Sequence, residues 1–204
     1  MKAILFDFGG VILDLKRKET INVPVALSKL FNMSLEQAVN MWRNERDNVV
    51  IGKETPKEFL ERCRTQTGSR VPILKLLKNW AVMSRKERKD IDWKLLRFVR
   101  KLRQAVKAYV MSDTIDLAQD DELSKEVYSM FDGCFVSFRE GYKKPDREAF
   151  LHVLKKIDCK PEECVFVDDT ERNVEAAKSL GIHAIHYIDM AQLINELNTL
   201  GLDV

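Results

Sequence analysis

Short, unbroken apolar runs punctuate the chain: Ala3 to Phe6 before Asp7, Ala108 to Met111 before Ser112, Cys134 to Val136, and Cys164 to Val167 before Asp168. Runs that do not alternate with polar residues predict strands buried on both faces, as in parallel α/β sheets. Ile182 to Ile188 adds a fifth candidate. Apolar residues at helical spacing fill the intervals, with Leu95, Leu96, Val99 and Leu102 before the second run and Ala149, Phe150, Val153, Leu154 and Ile157 before the fourth. Strands alternating with helices predict an α/β fold built on a doubly wound, Rossmann-like parallel sheet. Ligands of such sheets bind beyond the carboxyl ends of the strands, so Asp7, Ser112, Asp168 and Asp169 are expected around one crevice.

About ninety residues separate the first run from the second, far more than a single crossover helix needs. Helix starts are legible inside that interval. Ser34 with Gln37, Thr55 with Glu58 and Ser84 with Glu87 have capping-box spacing, Pro56 suits a first helical position, and Gly68 is placed to close the helix that Thr55 opens. The interval therefore reads as an inserted α-helical unit over residues 15–90, with the sheet drawn from residues 1–14 and 91–204. Further on, Thr170 to Leu180 reads as a helix ended by Gly181.

Charge narrows the partners. Thirty-four Lys+Arg against thirty-two Asp+Glu leave a formal charge of +2, so no global field steers the chain to nucleic acid or an anionic membrane. The basic stretches Arg85 to Lys89 and Arg97 to Lys107 read as solvated helix faces. No apolar stretch approaches the roughly 18 residues of a spanning helix, and Asp7 interrupts the only run that resembles a signal peptide. Cys63, Cys134, Cys159 and Cys164 lack metal-site spacing, and three of them sit in apolar contexts where a reduced thiol serves as a small hydrophobe. A reducing cytoplasm is the expected location. His152, His183 and His186 belong to no motif and are expected to be structural or exposed.

Four features stand in order: Asp7-Phe8-Gly9-Gly10-Val11 after the first strand, Ser112 after the second, Lys144-Pro145 leading into a helix, and Asp168-Asp169-Thr170-Glu171-Arg172-Asn173 after the fourth. Together they resemble the haloacid dehalogenase-like superfamily over essentially the whole chain, specifically its phosphatase-like branch with a helical cap inserted after the first motif. The resemblance implies that Asp7 attacks phosphorus and becomes an aspartyl phosphate, a covalent route that divides a difficult displacement into two easier ones. It implies that Ser112 holds a phosphoryl oxygen, with N–H donors from Asp113 and Thr114 and close backbone approach at Gly10. Lys144 would offset repulsion between nucleophile and phosphate, while Lys143 is a solvated neighbour. Mg²⁺ is the implied cofactor, held by Asp7, the Gly9 carbonyl and Asp169, with Asp168 and Asn173 behind them.

The pattern departs from the family at Gly9, where most of its phosphatases carry a second aspartate that protonates the leaving group and then activates water. Such help is worth about 10²–10⁴ in rate. Asp14 is a conceivable stand-in, although a turn role suits it better. Two other readings compete with a phosphatase: a haloacid dehalogenase, whose halide needs no proton but whose relatives lack paired acids like Asp168-Asp169, and a binding or regulatory module that has lost catalysis. A smaller departure is Arg147, where relatives commonly have proline. Trp42, Arg43, Arg46 and Arg64 are helical-unit residues that could reach inward to choose a leaving group, although Trp42, in the stretch Ala38, Val39, Met41, Trp42, reads better as helix-packing core. The expectation is a small phosphomonoester, such as a sugar phosphate, as substrate.

Overall fold

The computed structural model describes residues 1–15, 23–83, 88–115 and 122–202. Five strands form one parallel sheet in the order β3-β2-β1-β4-β5: β1 Ala3–Phe6, β2 Lys107–Ser112, β3 Gly133–Val136, β4 Cys164–Asp168 and β5 His183–His186. The unbroken apolar runs are explained by burial on both faces, which the period of two divides between two cores. Ile4 and Phe6 of β1 face one layer with Ala108, Val110, Val165 and Val167. Ala3 and Leu5 face the other with Met111, Cys164 and Phe166.

Helices cover each face. On the first, α6 (Trp93–Leu102) buries Leu95, Leu96, Val99 and Leu102 as its period predicts, and α11 (Met190–Thr199) adds Leu193 and Leu197. On the second, α9 (Arg147–Lys156) buries Ala149, Phe150, Val153 and Leu154, and α10 (Glu171–Ser179) adds Ala177. Gly181 follows α10 at φ +84°, a conformation that favours glycine. Two short helices, α7 (Glu122–Tyr128) and α8 (Ser137–Glu140), flank β3; neither is long enough to declare itself by periodicity.

Between β1 and α6 lie α1 (Val23–Phe31), α2 (Leu35–Glu45), α3 (Asp47–Val50), α4 (Pro56–Thr67) and α5 (Ile73–Met83), with no strand among the described residues. Ser34 and Gln37 form a reciprocal cap, as do Thr55 and Glu58, and Pro56 opens α4 while Gly68 closes it at φ +65°. Ser84 and Glu87 lie outside the described residues. These helices share a hydrophobic cluster of their own, in which Trp42, Phe59 and Trp80 meet edge to face. Ile115, from the loop after β2, inserts into the same cluster and ties the helical unit to the sheet.

One basic stretch is not a plain solvated face. Arg103 donates to both carboxylate oxygens of Asp132 at 3.0 Å and to the Met130 carbonyl at 2.7 Å, locking the turn before β3. Among the described residues no helix is long and apolar enough to cross a membrane.

Phe150 is fully buried and packs its ring edge-on against Phe166 at 5.2 Å. Phe150→Ala should lower unfolding free energy by about 3–5 kcal/mol in urea titrations, with the spread set by how far the site collapses. A loss under about 1 kcal/mol would show that this layer is loosely packed.

Candidate active site

The parallel register brings three chain segments together. Phe6 pairs with Val110 on one side and Val167 on the other, so the carboxyl ends of β1, β2 and β4 lie side by side and present Asp7, Ser112 and Asp168. Asp7 donates its backbone N–H to the Val167 carbonyl at 2.8 Å, which continues the ladder one residue past β1. Into this row comes Lys144, from the loop between α8 and α9. Its ammonium donates to Asp7 Oδ1 at 2.7 Å, Asp168 Oδ2 at 2.7 Å and the Met111 carbonyl at 3.0 Å. The side chain is 2% exposed. Burial alone would lower its pKa, but the carboxylates of Asp7, Asp168 and Asp113 outweigh burial and hold the lysine well above its ordinary value.

Asp168 accepts on both oxygens. Besides Lys144 it takes the Thr170 backbone N–H at 2.8 Å and the Asn173 side-chain amide at 3.0 and 3.2 Å. Asp169, half-buried, accepts from the Thr170 hydroxyl at 3.4 Å and has its carboxyl pKa raised by burial and by Asp168. Its carboxylate occupies the space beside Gly10. A Cβ built on Gly10 would overlap that carboxylate, and the residue stands at φ +84°, so both the room and the backbone conformation call for glycine.

Asp7, Asp168 and Asp169 form a cluster whose oxygens lie within 4.8 Å of one another. Three carboxylates face one ammonium. Burial pushes the Asp7 carboxyl up to about 7, with Asp168 adding to the rise and Lys144 opposing it. The buried Asn173 Oδ1 has no hydrogen-bond partner. A hard divalent cation fits this donor set, because carboxylate oxygens are its preferred ligands and two positive charges balance the excess. Asp7, Asp169 and the Gly9 carbonyl are the groups that could hold it, with Asp168 already committed to Lys144 and Asn173.

The structure brings the expected residues together but redistributes some of their work. Ser112 is buried, and its hydroxyl makes no hydrogen bond among the described residues, so it is available to a ligand. The Thr114 N–H is not: it donates to Ser137 Oγ at 3.0 Å, because the loop after β2 is stapled to the start of α8. The Gly10 N–H is likewise taken, by the Leu13 carbonyl at 2.8 Å, which leaves Gly10 as the residue that makes room rather than a donor. Asp113 turns its carboxylate to the Lys144 backbone N–H at 3.1 Å, positioning the lysine from behind. Lys143 is not simply solvated; it lies 3.5 Å from Asp47 and 3.7 Å from Asp146. Asp14 stands outside the acid cluster, its N–H bonded to the Asp90 carbonyl. His186, which has no motif, contacts the Asp169 carbonyl at 2.9 Å, and His152 pairs with Glu140 at 2.7 Å. Neither Ser137 nor the carboxylate role of Asp113 carries a sequence signal, since both depend on a loop-to-loop contact.

Without a cation, the folded protein holds the Asp7 proton more tightly than the unfolded chain between pH 3.8 and about 7, so this group's contribution to stability falls as pH rises through that window. Below about pH 7 a cation must displace that proton. Magnesium chloride should therefore raise the melting temperature more at pH 8 than at pH 5, with the added unfolding free energy approaching about 2.7 kcal/mol at a hundredfold excess over Kd, and EDTA should abolish the gain. Gly10→Ala, which moves Asp169, should remove the magnesium shift while leaving a cooperative transition. An equal shift at both pH values would exclude the acid cluster as the binding site.

Residues 1–181 match the haloacid dehalogenase-like hydrolase family model. The chain is 31% identical to a sesquiterpene phosphatase of Aspergillus oryzae, over 98% of this chain and 96% of that one. It is 25% identical to a D-ribitol-5-phosphate phosphatase of Bacteroides thetaiotaomicron, over 98% of both. A haloacid dehalogenase-family enzyme from Bacteroides thetaiotaomicron, solved with magnesium and inorganic phosphate, superposes with a TM-score of 0.67 at 23% identity, covering 95% of this chain and 98% of that one. With the motifs in order and the family model spanning β1 to β4 and the helices between β1 and α6, the chain belongs to the haloacid dehalogenase-like hydrolases, in their phosphatase branch.

Proposed function

We propose that the chain is a Mg²⁺-dependent phosphomonoester hydrolase acting through an aspartyl phosphate, with residues 15–90 as the cap over the crevice and a small phosphorylated metabolite, such as a sugar phosphate, as substrate. The observation that carries this reading is the buried Asp7 carboxylate, pinned through Oδ1 by Lys144 beside Asp168 and Asp169. The two full-length relatives support it: their names share the phosphate and differ in the alcohol. Paired acids at the end of β4 favour it over a metal-free dehalogenase, and the intact carboxylate–ammonium set favours it over a module that only binds. Four cysteines outside any disulfide fit a reducing compartment.

Chemically, an Asp7 carboxylate oxygen attacks phosphorus as the bond from phosphorus to the ester oxygen breaks, and the leaving alkoxide takes a proton from water. A second water then cleaves the acyl phosphate, restoring Asp7 and releasing inorganic phosphate. Lys144 keeps Asp7 oriented and offsets the repulsion between two anions. The Ser112 hydroxyl and the Asp113 N–H donate to phosphoryl oxygens. When bound by Asp7, Asp169 and the Gly9 carbonyl, Mg²⁺ supplies charge neutralisation at the phosphoryl group. Cap closure excludes bulk water from the crevice.

Two measurements test this reading. Turnover of an activated aryl phosphate should require magnesium, and Asp7→Asn should lower kcat by more than about 10³-fold in a protein that still unfolds cooperatively; turnover that survives the substitution removes Asp7 as nucleophile. The second concerns the missing acid. Gly9 is outside the left-handed region, and a Cβ there meets only Leu15 Cδ1 at 3.3 Å, the end of a flexible side chain. A Cβ at Gly9 therefore needs Leu15 to yield by only a few tenths of an ångström, and Gly9→Asp should raise kcat on alkyl phosphates by about 10²-fold, with a smaller gain on aryl phosphates, whose leaving groups need little protonation. Asp14→Asn should leave turnover unchanged; a loss would make Asp14 the stand-in acid.

A further inference from the structure

A cleft of about 480 Å³ separates α2 from the starts of α9 and α10. That volume suits the organic part of a small metabolite. Its charged lining is one-sided: Arg43, Arg46, Lys143 and Arg172 face a single carboxylate, Asp47, and Lys144 closes the floor while its ammonium is committed to Asp7 and Asp168. Trp42 supplies the apolar flank.

Two of these cations are partly compensated. Lys143 has Asp47 and Asp146, while Arg46 lies 3.8 Å from Asp113 and stacks on Trp42 with its guanidinium 5.5 Å from the ring centroid. Arg43 and Arg172 have no carboxylate within ion-pair distance among the described residues. They come from separate elements, α2 and the first turn of α10, and line the same cleft. Converging like charges cost Coulomb energy that a bound anion recovers. The phosphoryl group under attack belongs with Asp7 and Ser112, and the cleft adjoins that place through Lys144 and through the Arg46–Asp113 contact. What lies in the cleft is then the leaving-group side of the substrate.

Building on the phosphatase reading, we infer that the substrate carries a second anionic group, a carboxylate or another phosphate, on its leaving-group side, and that Arg43 and Arg172 receive it. An arginine fork suits either oxyanion.

The test compares kcat/KM on matched pairs: 3-phosphoglycerate against glycerol 3-phosphate for the carboxylate, fructose 1,6-bisphosphate against fructose 6-phosphate for the phosphate, and n-hexyl phosphate for an apolar group. The member with the second anion should be preferred by about tenfold in one pair, which identifies the anion, and by more at low ionic strength. Arg43→Gln and Arg172→Gln, both at exposed positions, should each cut that ratio about fivefold. Arg147→Gln makes the same charge change outside the cleft and should leave the ratio intact. Ratios near one in both pairs, ratios indifferent to Arg43 and Arg172, or a preference for n-hexyl phosphate would overturn the inference. Should no phosphate ester turn over, including the aryl ester, the phosphatase reading fails separately. Calorimetric titration of the same pairs into the wild type with magnesium then decides the cleft: tighter binding of the doubly anionic member, weakened by either arginine substitution, upholds it as an anion site, and equal binding overturns it.

Discussion

The Lys144 ammonium lies between Asp7 and Asp168, 2.7 Å from each, where water scarcely reaches. Any one of these charges buried alone would cost several kcal/mol, and removing one partner would strand the others. Their mutual compensation is what permits the Asp7 carboxylate to sit at the end of a fully buried strand. It also links parts of the chain that are remote in sequence: β1 supplies Asp7, the loop before α9 supplies Lys144, and β4 supplies Asp168. Asp113 and Asn173 extend the network outward, one holding the lysine backbone and the other the Asp168 carboxylate. The crevice is thus preorganised by ion pairing, while the charge left over on Asp7 and Asp169 makes it a receptor for a cation.

Shape completes what charge begins. Gly10 is the point where the first turn passes against Asp169, and no other residue leaves the carboxylate in place. Gly9 differs in kind. Its backbone accepts a Cβ, and the one close neighbour is the flexible end of Leu15, which would have to yield by a few tenths of an ångström. Catalysis without a proton donor there would depend more steeply on the leaving group, and discrimination would shift toward how well the rest of the substrate is held.

Much of the fold is written in local pattern. Ala3–Phe6 and Cys164–Val167 show strands because both faces are buried, and Ser34 and Thr55 show helix starts because capping is local. That Asp7, Lys144 and Asp169 would gather in one crevice was legible through motif order. Contacts between loops were not. The pairing of Thr114 with Ser137 removes a donor that the motif supplies, and the bond from Gly10 to Leu13 removes another. Such bonds depend on how separate turns meet, which no residue spacing encodes. Arg103 illustrates the same limit: within its basic run it looks solvated, and only the fold reveals Asp132 beside it.

Net charge is the property that misleads most. A total of +2 is an average over two regions of opposite need. At the strand ends, Asp7, Asp168 and Asp169 exceed Lys144 and favour a cation; across Lys144, the arginines of α2 and α10 exceed Asp47 and favour an anion. A lysine shared by both regions keeps them adjacent without letting them cancel, since its ammonium is fully engaged on the acidic side. A phosphoester whose far end is also anionic would span this gradient, its phosphoryl group over the cation and its second anion among the arginines. Electrostatics would then select both the identity of the substrate and the direction in which it enters, two properties that whole-chain composition averages to nothing.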